Sequence, residues 1–480
     1  MRKSPIPIPI AQRMPRRGIK YSAIVMATMV LAGCASIEPG SSATAVRIEV
    51  QQRLGKGVQV EVHPAEAPAE RIDGLLKLPL SAENAIQLAL LNNRGLQARL
   101  HQLGVTEAEA RQAARLPNPG FSFGRLTKGD EVELERGLHF NLVRLLTLPL
   151  VAQVEQRRLE AARRETAMEV LSLVNDTRKA WVQAVAAAEV AKYMFQVQDA
   201  AEASAELARR MESVGNFNKI MRAREQSFYA DAALGHAKAQ QLQRASRERL
   251  IRLLGLWGDQ VQALKLPERL PELPPEPKDQ PDIERQALAK RLDVQAARFA
   301  AEQTAKNLGL TRTTRFVNVL ELGLVRNTSN EAPRQTGWEV GLELPLFDWG
   351  GARVARAEGL YMQALHQAAA TAINARSEVR EAYGNYRFSY DMARHHRDEI
   401  VPLKKRISEE QVLRYNGMLI GVFELLADAR TQIASVSGSI EALRAFWLAQ
   451  ADLDQALIGK ASLAMPTGPA AAAAAAEGGH

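Results

Sequence analysis

Few side chains in this chain of 480 residues have the types and spacing of a reactive or ligand-binding site. His395-His396, with Asp391 and Glu399 one turn away on either side, has the composition of a metal site. Adjacent residues of a helix point in different directions, so we expect no metal there. Gly459-Lys460-Ala461 lacks the remaining residues of a phosphate-binding loop, and the sequence has no His-Glu-x-x-His or Gly-x-Ser-x-Gly motif. We therefore expect neither an enzyme nor a cofactor.

The single cysteine, Cys34, stands at the end of a leader. Residues 1–33 combine a basic start with the apolar stretch Tyr21–Leu31, which is typical of a secretory signal and too short for a membrane span. Leu31-Ala32-Gly33-Cys34 looks like a bacterial lipobox, whose cysteine is acylated and becomes the mature N-terminus. The alternative is a signal peptide that ends by chance at a cysteine. Acylation of Cys34 would attach the chain to a membrane.

Two details of the leader bear on its length and destination. Translation could start at Met1 or at Met14, which begins a leader of more usual length. Ala35 follows the cysteine, and in lipoproteins of this kind a residue other than Asp at that position usually accompanies sorting to the outer membrane.

Net charge argues against nucleic-acid binding. The six basic residues of 1–33 account for most of the excess, and without them the net charge falls from +8 to +2. Little positive charge is then left for phosphates. One cysteine also excludes an internal disulfide framework and a multi-cysteine zinc site.

The two halves of the chain resemble each other. Three anchors recur in the same order at offsets of 198, 196 and 202: residues 89–98 with 287–296, Leu148-Pro149-Leu150 with Leu344-Pro345-Leu346, and Gly215 with Gly417. A proline-rich segment separates the halves. The predicted organisation is a leader at 1–33, an N-terminal segment at 34–77, a first repeat at 78–266, a linker at 267–281, a second repeat at 282–460 and a low-complexity tail at 461–480.

Each repeat has the pattern of a helix, two strands, a very long helix, a break at a glycine and a final helix. The opening helices are expected at about 81–115 and 282–311. One long helix is expected over Val151–Met211, which contains no proline or glycine. The other is expected over Gly351–Asn416, interrupted only by Gly359, Gly384 and Pro402. Gly215 and Gly417 suit C-terminal caps that need a positive φ.

Four segments alternate apolar and polar residues with the period of a strand. They lie at Phe121–Arg125, Val132–Leu142, Phe316–Arg326 and Trp338–Leu344. Trp338 and Leu342 point to one side, while Glu339 and Glu343, like Glu133 and Glu135 of the first repeat, belong to the polar side. Segments of this length can span a membrane, but four strands cannot close a barrel, because open edges leave backbone groups unpaired in lipid. If the strands span a membrane, several copies must share one barrel, and three copies give twelve strands.

The duplicated plan resembles the bacterial outer-membrane efflux (TolC) family over about residues 78–460. The segment Gly341–Arg353, which contains Leu-Pro-Leu-Phe-Asp-Trp-Gly-Gly, looks like the most recognisable motif of that family, and Leu80–Ile86 with Ala89–Asn93 looks like its opening. The first repeat departs from the motif, with Val151–Val154 in place of Phe-Asp-Trp-Gly-Gly, so we expect its strand-to-helix transition to differ.

The resemblance implies a mainly α-helical fold with membrane β-strands. It implies a homotrimer with a twelve-stranded barrel in the outer membrane above a periplasmic tunnel of twelve helices. An acylated N-terminal cysteine is a feature that this chain shares with the branch of the family that works with resistance-nodulation-division pumps. The implied partners are therefore a periplasmic adaptor, an inner-membrane transporter of the resistance-nodulation-division type and outer-membrane lipid. The exported substrate is not legible, and heavy-metal ions, drugs and organic solvents stay open.

The resemblance also points to residues at the hairpin tips. Gly215, Asn216, Gly417 and Met418 lie where family members contact the adaptor. Glu424 is similar to the first acid of the periplasmic aperture and Asp428 is a shifted substitute for the second. Arg414 and Tyr415 lie where restraining contacts are expected, Tyr415 one position off the usual spacing. The alternative is that all of these are ordinary surface residues near a turn.

Two other classes of function stay open from sequence. One is a periplasmic adaptor lipoprotein, which should have one helical hairpin flanked by small β-domains rather than a whole-chain duplication. The other is a lipid-anchored coiled-coil scaffold without a pore, in which the four strands form ordinary soluble hairpins.

Overall fold

A computed structural model describes residues 40–54, 69–279, 281–316, 319–343 and 346–460. The predicted leader, Cys34, the tail 461–480 and the Leu344-Pro345 anchor lie outside the described residues. The helices are α1 Ser41–Leu54, α2 Ala69–Leu76, α3 Ala82–Asn92, α4 Arg94–Ala113, α5 Leu142–Ser213, α6 Lys219–Leu254, α7 Asp259–Ala263, α8 Ile283–Lys290, α9 Leu292–Thr314, α10 Gly351–His395, α11 Val401–Asn416 and α12 Val422–Ile458. The strands are β1 Gly120–Lys128, β2 Glu131–Asn141, β3 Leu320–Ser329 and β4 Gln335–Leu342.

The order of elements repeats in the two halves, as the sequence offsets predict. Each half has two short helices, a β-hairpin, a long helix, a tight turn and a helix of 36 or 37 residues. The prediction of one opening helix in each half is wrong, because both are interrupted. The interruptions fall at Asn93 and Arg291, and both residues have extended backbones. They are 198 residues apart, which is the offset of the sequence alignment.

The interruptions are joints at which other helices end. Asn92 donates from Nδ2 to the carbonyl oxygen of Gly255 at 2.7 Å, and Asn93 donates to that of Leu253 at 2.9 Å, at the C-terminus of α6. In the second half Arg291, which is 1% exposed, donates to the carbonyl oxygen of Ala456 near the end of α12. Side chains thus satisfy the last carbonyls of α6 and α12, which the helices themselves leave unpaired.

The long helix of the first half begins earlier than predicted, at Leu142, and includes Pro149. Asn141 caps it by accepting a hydrogen bond from the backbone N–H of Arg144 at 2.8 Å. Its 72 residues give a length of about 108 Å.

The second half makes this transition differently, as its distinct sequence predicts. Gly350 precedes α10 with φ +73°, and its N–H donates to Asp348 Oδ1 at 2.8 Å. A Cβ at position 350 would lie 2.9 Å from the carbonyl oxygen of Arg315. Both the backbone conformation and the close approach therefore require glycine.

The predicted helix Gly351–Asn416 is continuous through Gly359 and Gly384 but contains one π-helical turn, His396–Ile400. The N–H of Val401 donates to the carbonyl of His396, five residues back. Pro402 follows and has no N–H to give, and its ring would collide with the carbonyl four residues earlier in a regular helix. The wider turn accommodates this proline.

The helices form one extended bundle. α5 packs against α6, α9 and α12, and α10 packs against α9 and α12. Alanines supply much of the buried surface of α5, including Ala180, Ala184 and Ala187, which lets neighbouring helices approach closely. None of the helices in the described ranges has a stretch long and apolar enough to cross a membrane.

The proline-rich linker packs across the bundle. Tyr390 donates to the carbonyl oxygen of Pro275 at 2.6 Å, and Trp447 donates to that of Pro271 at 3.0 Å. Leu270 and Leu273 are buried. The connection between the repeats is therefore fixed to α10 and α12.

Candidate channel wall and hairpin tips

The four strands form one antiparallel sheet in the order β1-β2-β3-β4, which joins the hairpins of both repeats. β2 pairs with β3 in a register that aligns Leu138 with Leu324. The outer edges of β1 and β4 pair with no other strand of the described chain. The strands have 9, 11, 10 and 8 residues, close to the length that crosses a bilayer as a tilted strand.

One face of the sheet, here called the apolar face, carries exposed hydrophobic side chains in continuous rows. The pairing brings together Phe121, Leu138, Leu324 and Trp338 in one row, Phe140, Leu322 and Val340 in the next, and Leu320 and Leu342 in the third. Trp338 is 74% exposed and Phe121 is 69% exposed. Exposed apolar surface of this extent marks contact with a membrane or another protein.

The opposite face, here called the acidic face, carries every glutamate of the four strands. These are Glu131, Glu133, Glu135, Glu321 and Glu339. The strand register confirms the predicted division of the two faces. Glu339, Glu133 and Glu135 lie on one side, and Trp338 and Leu342 lie on the other. An acidic, hydrated face opposite an apolar one suits the wall of a water-filled channel.

A hydrogen-bonded row crosses the acidic face. His139 Nδ1 lies 3.0 Å from Glu339 Oε1, and its Nε2 lies 2.8 Å from Ser122 Oγ. The row passes over two glycines: a Cβ at Gly137 would come 2.4 Å from Ser122 Oγ, and one at Gly323 would come 2.5 Å from Glu339 Cγ. The missing side chains leave the space in which β1, β2 and β4 are linked.

The first hairpin tip has the geometry that its glycine predicts. Gly215 has φ +82°, its N–H donates to the carbonyl of Glu212, and the N–H of Asn216 donates to that of Met211. These two bonds are a Schellman cap. Asn218 then caps α6.

Ion pairs surround this tip. Glu212 and Arg222 join its two helices at 2.7 Å. Hydrogen bonds from Arg209 and then Arg210 lower the pKa of the Glu206 carboxyl to about 2. The glutamate is therefore ionised throughout the physiological range.

The second tip has the same cap with a different residue at its left-handed position. The N–H of Met418 donates to the carbonyl of Tyr415, and that of Leu419 to that of Arg414, both at 2.9 Å. Met418 has φ +59°, whereas Gly417 has φ −79°. The prediction that Gly417 takes the positive φ is therefore wrong, and Met418 is the structural counterpart of Gly215.

Both tips expose apolar side chains. Met418 is 93% exposed, Leu419 73% and Val214 70%. The four predicted tip residues, Gly215, Asn216, Gly417 and Met418, all lie at these turns. The turns are thus available to a partner.

The predicted aperture acids lie at the start of α12. Glu424 is exposed in the first turn, where the helix N-terminus stabilises negative charge. Asp428 lies one turn later and is half-buried. Arg414 and Tyr415 are exposed at the end of α11, and within the described part of this single chain their side chains make no hydrogen bond or ion pair. Restraint by Arg414 and Tyr415 stays a prediction.

A buried link that the sequence reasoning missed joins three helices near the tips. Glu225 on α6 has a side chain only 2% exposed, and it accepts hydrogen bonds from Ser204 of α5 at 2.8 Å and from Arg430 of α12 at 2.9 Å. The Arg430 guanidinium also lies 4.3 Å from the centroid of the Phe228 ring. Glu225 falls among many charged residues of α6, so its burial had no signal in the sequence.

The histidine pair is divided between two environments. His395 lies 3.1 Å from Glu399, while the His396 ring lies against Gly438 of α12. Burial, and then the neighbouring His395, lowers the pKa of His396. Among the described residues, no group of three or more His, Cys, Asp or Glu side chains is arranged to hold a metal ion.

Comparison with known proteins shows which fold this is. No protein-family model and no curated protein matches the sequence. Among solved structures, the chain is similar to the outer membrane protein VceC of Vibrio cholerae, with 16% identity, a TM-score of 0.65 and coverage of 78% of this chain and 95% of that one. The chain is also similar to CusC, whose structures concern transmembrane channel formation, with 17% identity, a TM-score of 0.65 and coverage of 80% of this chain and 94% of that one. For the open state of the MtrE outer membrane channel of Neisseria gonorrhoeae the corresponding values are 17%, 0.64, 79% and 89%. The chain therefore has the fold that VceC, CusC and MtrE share.

Proposed function

We propose that this chain is a member of the TolC family and forms the outer-membrane duct of a three-part export system. Three copies close a twelve-stranded barrel, with the apolar face toward lipid and the acidic face toward the water inside. The long helices continue the duct into the periplasm. The observation that carries the proposal is the four-stranded sheet, which has opposed apolar and acidic faces and two unpaired edges.

The geometry supports sharing of the sheet among copies. An isolated sheet in lipid would leave the edge groups of β1 and β4 without hydrogen-bond partners, and each such group costs several kcal/mol. Pairing β4 of one chain with β1 of the next removes every edge. The similarity in fold to the MtrE outer membrane channel supports insertion of the sheet in the outer membrane.

The duct has no catalytic residues in this proposal, and an inner-membrane transporter supplies the energy. A periplasmic adaptor contacts the tips at Gly215, Asn216, Gly417 and Met418. Their exposed apolar neighbours support this assignment. In keeping with the lipobox, Cys34 carries the acyl chains that anchor the protein to the outer membrane. The transporter is of the resistance-nodulation-division type, and the cargo is a metal ion or a drug-like solute.

Conductance across planar bilayers tests the duct. The purified full chain should give discrete ion-conducting events, and their complete absence, including in variants that loosen the tips, would favour the non-conducting scaffold. The alternative function as a periplasmic adaptor is disfavoured, because the chain has two helical hairpins and a single sheet to which both repeats contribute strands.

Glu424 tests the position of the aperture. A ring of three Glu424 carboxylates would concentrate negative potential at a narrow opening and favour cations. Glu424→Ala should reduce the cation-to-anion permeability ratio, while Glu248→Ala, an exposed glutamate on α6 far from the tips, should leave it unchanged. Equal ratios in wild type and Glu424→Ala would remove Glu424 from the pore.

A further inference from the structure

The glutamates and the arginines of the sheet lie on opposite faces, while Lys128 at the end of β1 lies on the acidic face opposite Glu131. All five glutamates of the strands lie on the acidic face, whereas all three arginines, Arg125, Arg136 and Arg326, lie on the apolar face. A sheet that used these charges for its own stability would pair opposite signs across strands. Here Lys128 stands opposite Glu131, but the backbone keeps all three arginines away from the glutamates.

The arginines lie next to one another. Arg136 and Arg326 are directly opposite in the β2–β3 register, and Arg125, opposite Leu134, is the diagonal neighbour of Arg136. Directly opposed like charges are destabilising. None of the three has a hydrogen bond, ion pair or aromatic partner within the described part of the chain. An external anion between them would offset their repulsion.

Their position along the strands indicates where this anion lies. Arg326 is six residues beyond Leu320, about 20 Å along β3, and strand tilt reduces this to roughly 16 Å of membrane depth. At the helix end of the sheet, Phe347 is 99% exposed and Trp349 is 65% exposed, as in the aromatic girdle of a membrane boundary. The apolar band of such proteins is about 25 Å tall, so with Leu320 near one boundary the arginine backbones lie about 9 Å inside the other, and the long side chains can extend toward its headgroups.

We propose that Arg125, Arg136 and Arg326 bind the phosphate groups of lipid A, the phosphorylated glycolipid anchor of the outer leaflet. Guanidinium groups bind phosphate oxygens through paired, charge-assisted hydrogen bonds, and the apolar rows beside them accommodate acyl chains. β2 and β3 are the inner strands of each chain, so the half-buried Arg136 and the exposed Arg326 are not covered further when β1 and β4 pair with neighbouring copies. This inference rests on the proposed insertion of the sheet in the outer membrane.

Lipid retention tests the proposal. The full-length assembly is reconstituted in neutral phosphatidylcholine nanodiscs containing diphosphoryl lipid A or the same lipid after dephosphorylation, and bound lipid is counted by native mass spectrometry. Wild type should retain diphosphoryl lipid A at least tenfold better than the double variant Arg136→Gln/Arg326→Gln, and both should retain the dephosphorylated lipid equally weakly. The control Arg244→Gln/Arg252→Gln removes the same charge from exposed positions of α6 and should match wild type.

Three results would overturn the proposal. They are equal retention by wild type and the sheet variant, equal retention of the two lipids by wild type, and full displacement of lipid A by millimolar inorganic phosphate, which would make this a site for the free ion. Conductance of the same preparations separates this inference from the channel. A conducting protein without phosphate-dependent retention refutes only the lipid site, whereas a protein that neither inserts nor conducts refutes the proposed function.

Discussion

The buried link between Glu225 and Arg430 should hold the two helical hairpins together near the tips. Arg430→Gln leaves a carboxylate that is 2% exposed with only the Ser204 hydroxyl as donor. Loss of a hydrogen bond to a buried charge costs about 2 kcal/mol, and loss of the contact with Phe228 adds about 0.5 kcal/mol. The sum of about 2.5 kcal/mol corresponds to a roughly 70-fold shift, per chain, toward separated hairpins.

Two measurements on the same variants check this magnitude. Arg430→Gln should lower the thermal stability of the assembly and raise the open probability of single channels in planar bilayers. Arg444→Gln is the matched control, because Arg444 lies on the same helix and, among the described residues, pairs with Glu441 alone, three residues away at the surface. The double variant Glu225→Gln/Arg430→Gln removes the unpaired charge and should recover part of the lost stability. If Arg430→Gln behaves like Arg444→Gln in both measurements, the link does not restrain the hairpins.

Three further local features are tested by substitution, followed by thermal or chemical denaturation of the assembly. Gly350→Ala should destabilise the assembly by about 2 kcal/mol, because the alanine would need a positive φ and its Cβ would collide with a backbone carbonyl. Gly351→Ala, in open space at the first residue of α10, should be neutral or stabilising, and similar effects of the two substitutions would refute the requirement for glycine. Both tips have a residue with positive φ, so Met418→Gly should stabilise the second tip by about 1 kcal/mol and Gly215→Ala should destabilise the first by a similar amount. A loss of stability in Met418→Gly would contradict backbone strain at that position. Burial raises the pKa of Asp452 above its ordinary 3.8 despite its ion pair with a lysine, so the folded state binds this proton more tightly than the unfolded state. The free energy of unfolding of wild type should therefore rise relative to that of Asp452→Asn as the pH falls toward 3.8. A difference that stays constant or changes in the opposite direction would refute this.

Sequence predicted the larger features because they are periodic or repeated. Alternation over Trp338–Leu344 placed Trp338 and Glu339 on opposite faces, and the 198-residue offset predicted matching elements in the two halves. The same offset relates the joints at Asn93 and Arg291, although the residues differ. An asparagine amide and a buried guanidinium satisfy similar helix ends, so sequence identity could not reveal their common role.

The features that sequence missed depend on tertiary contacts or on a shift of one residue. Gly417 was the obvious choice for a left-handed position, yet the hydrogen bonds of the cap put Met418 there, because the helix ends one residue later than the glycine predicts. Glu225 looks like any helical surface glutamate until Arg430, 205 residues away, is placed beside it. The π-helical turn before Pro402 depends both on the proline and on packing against α12. From sequence, the proline predicts an interruption of the helix at this point but not its π-helical form.

Cross-linking of the edge strands tests the sharing of the sheet most directly. Cysteine pairs placed along β1 and β4 are oxidised in native outer membranes, where an acylated Cys34 has no free thiol, and the products are separated after denaturation. Pairing of β4 with β1 of the next copy predicts covalent species of one, two and three chains and nothing larger. Membrane-embedded protein that stays at one chain at every pair of positions, or a ladder that ends at another number, would contradict the shared twelve-stranded wall.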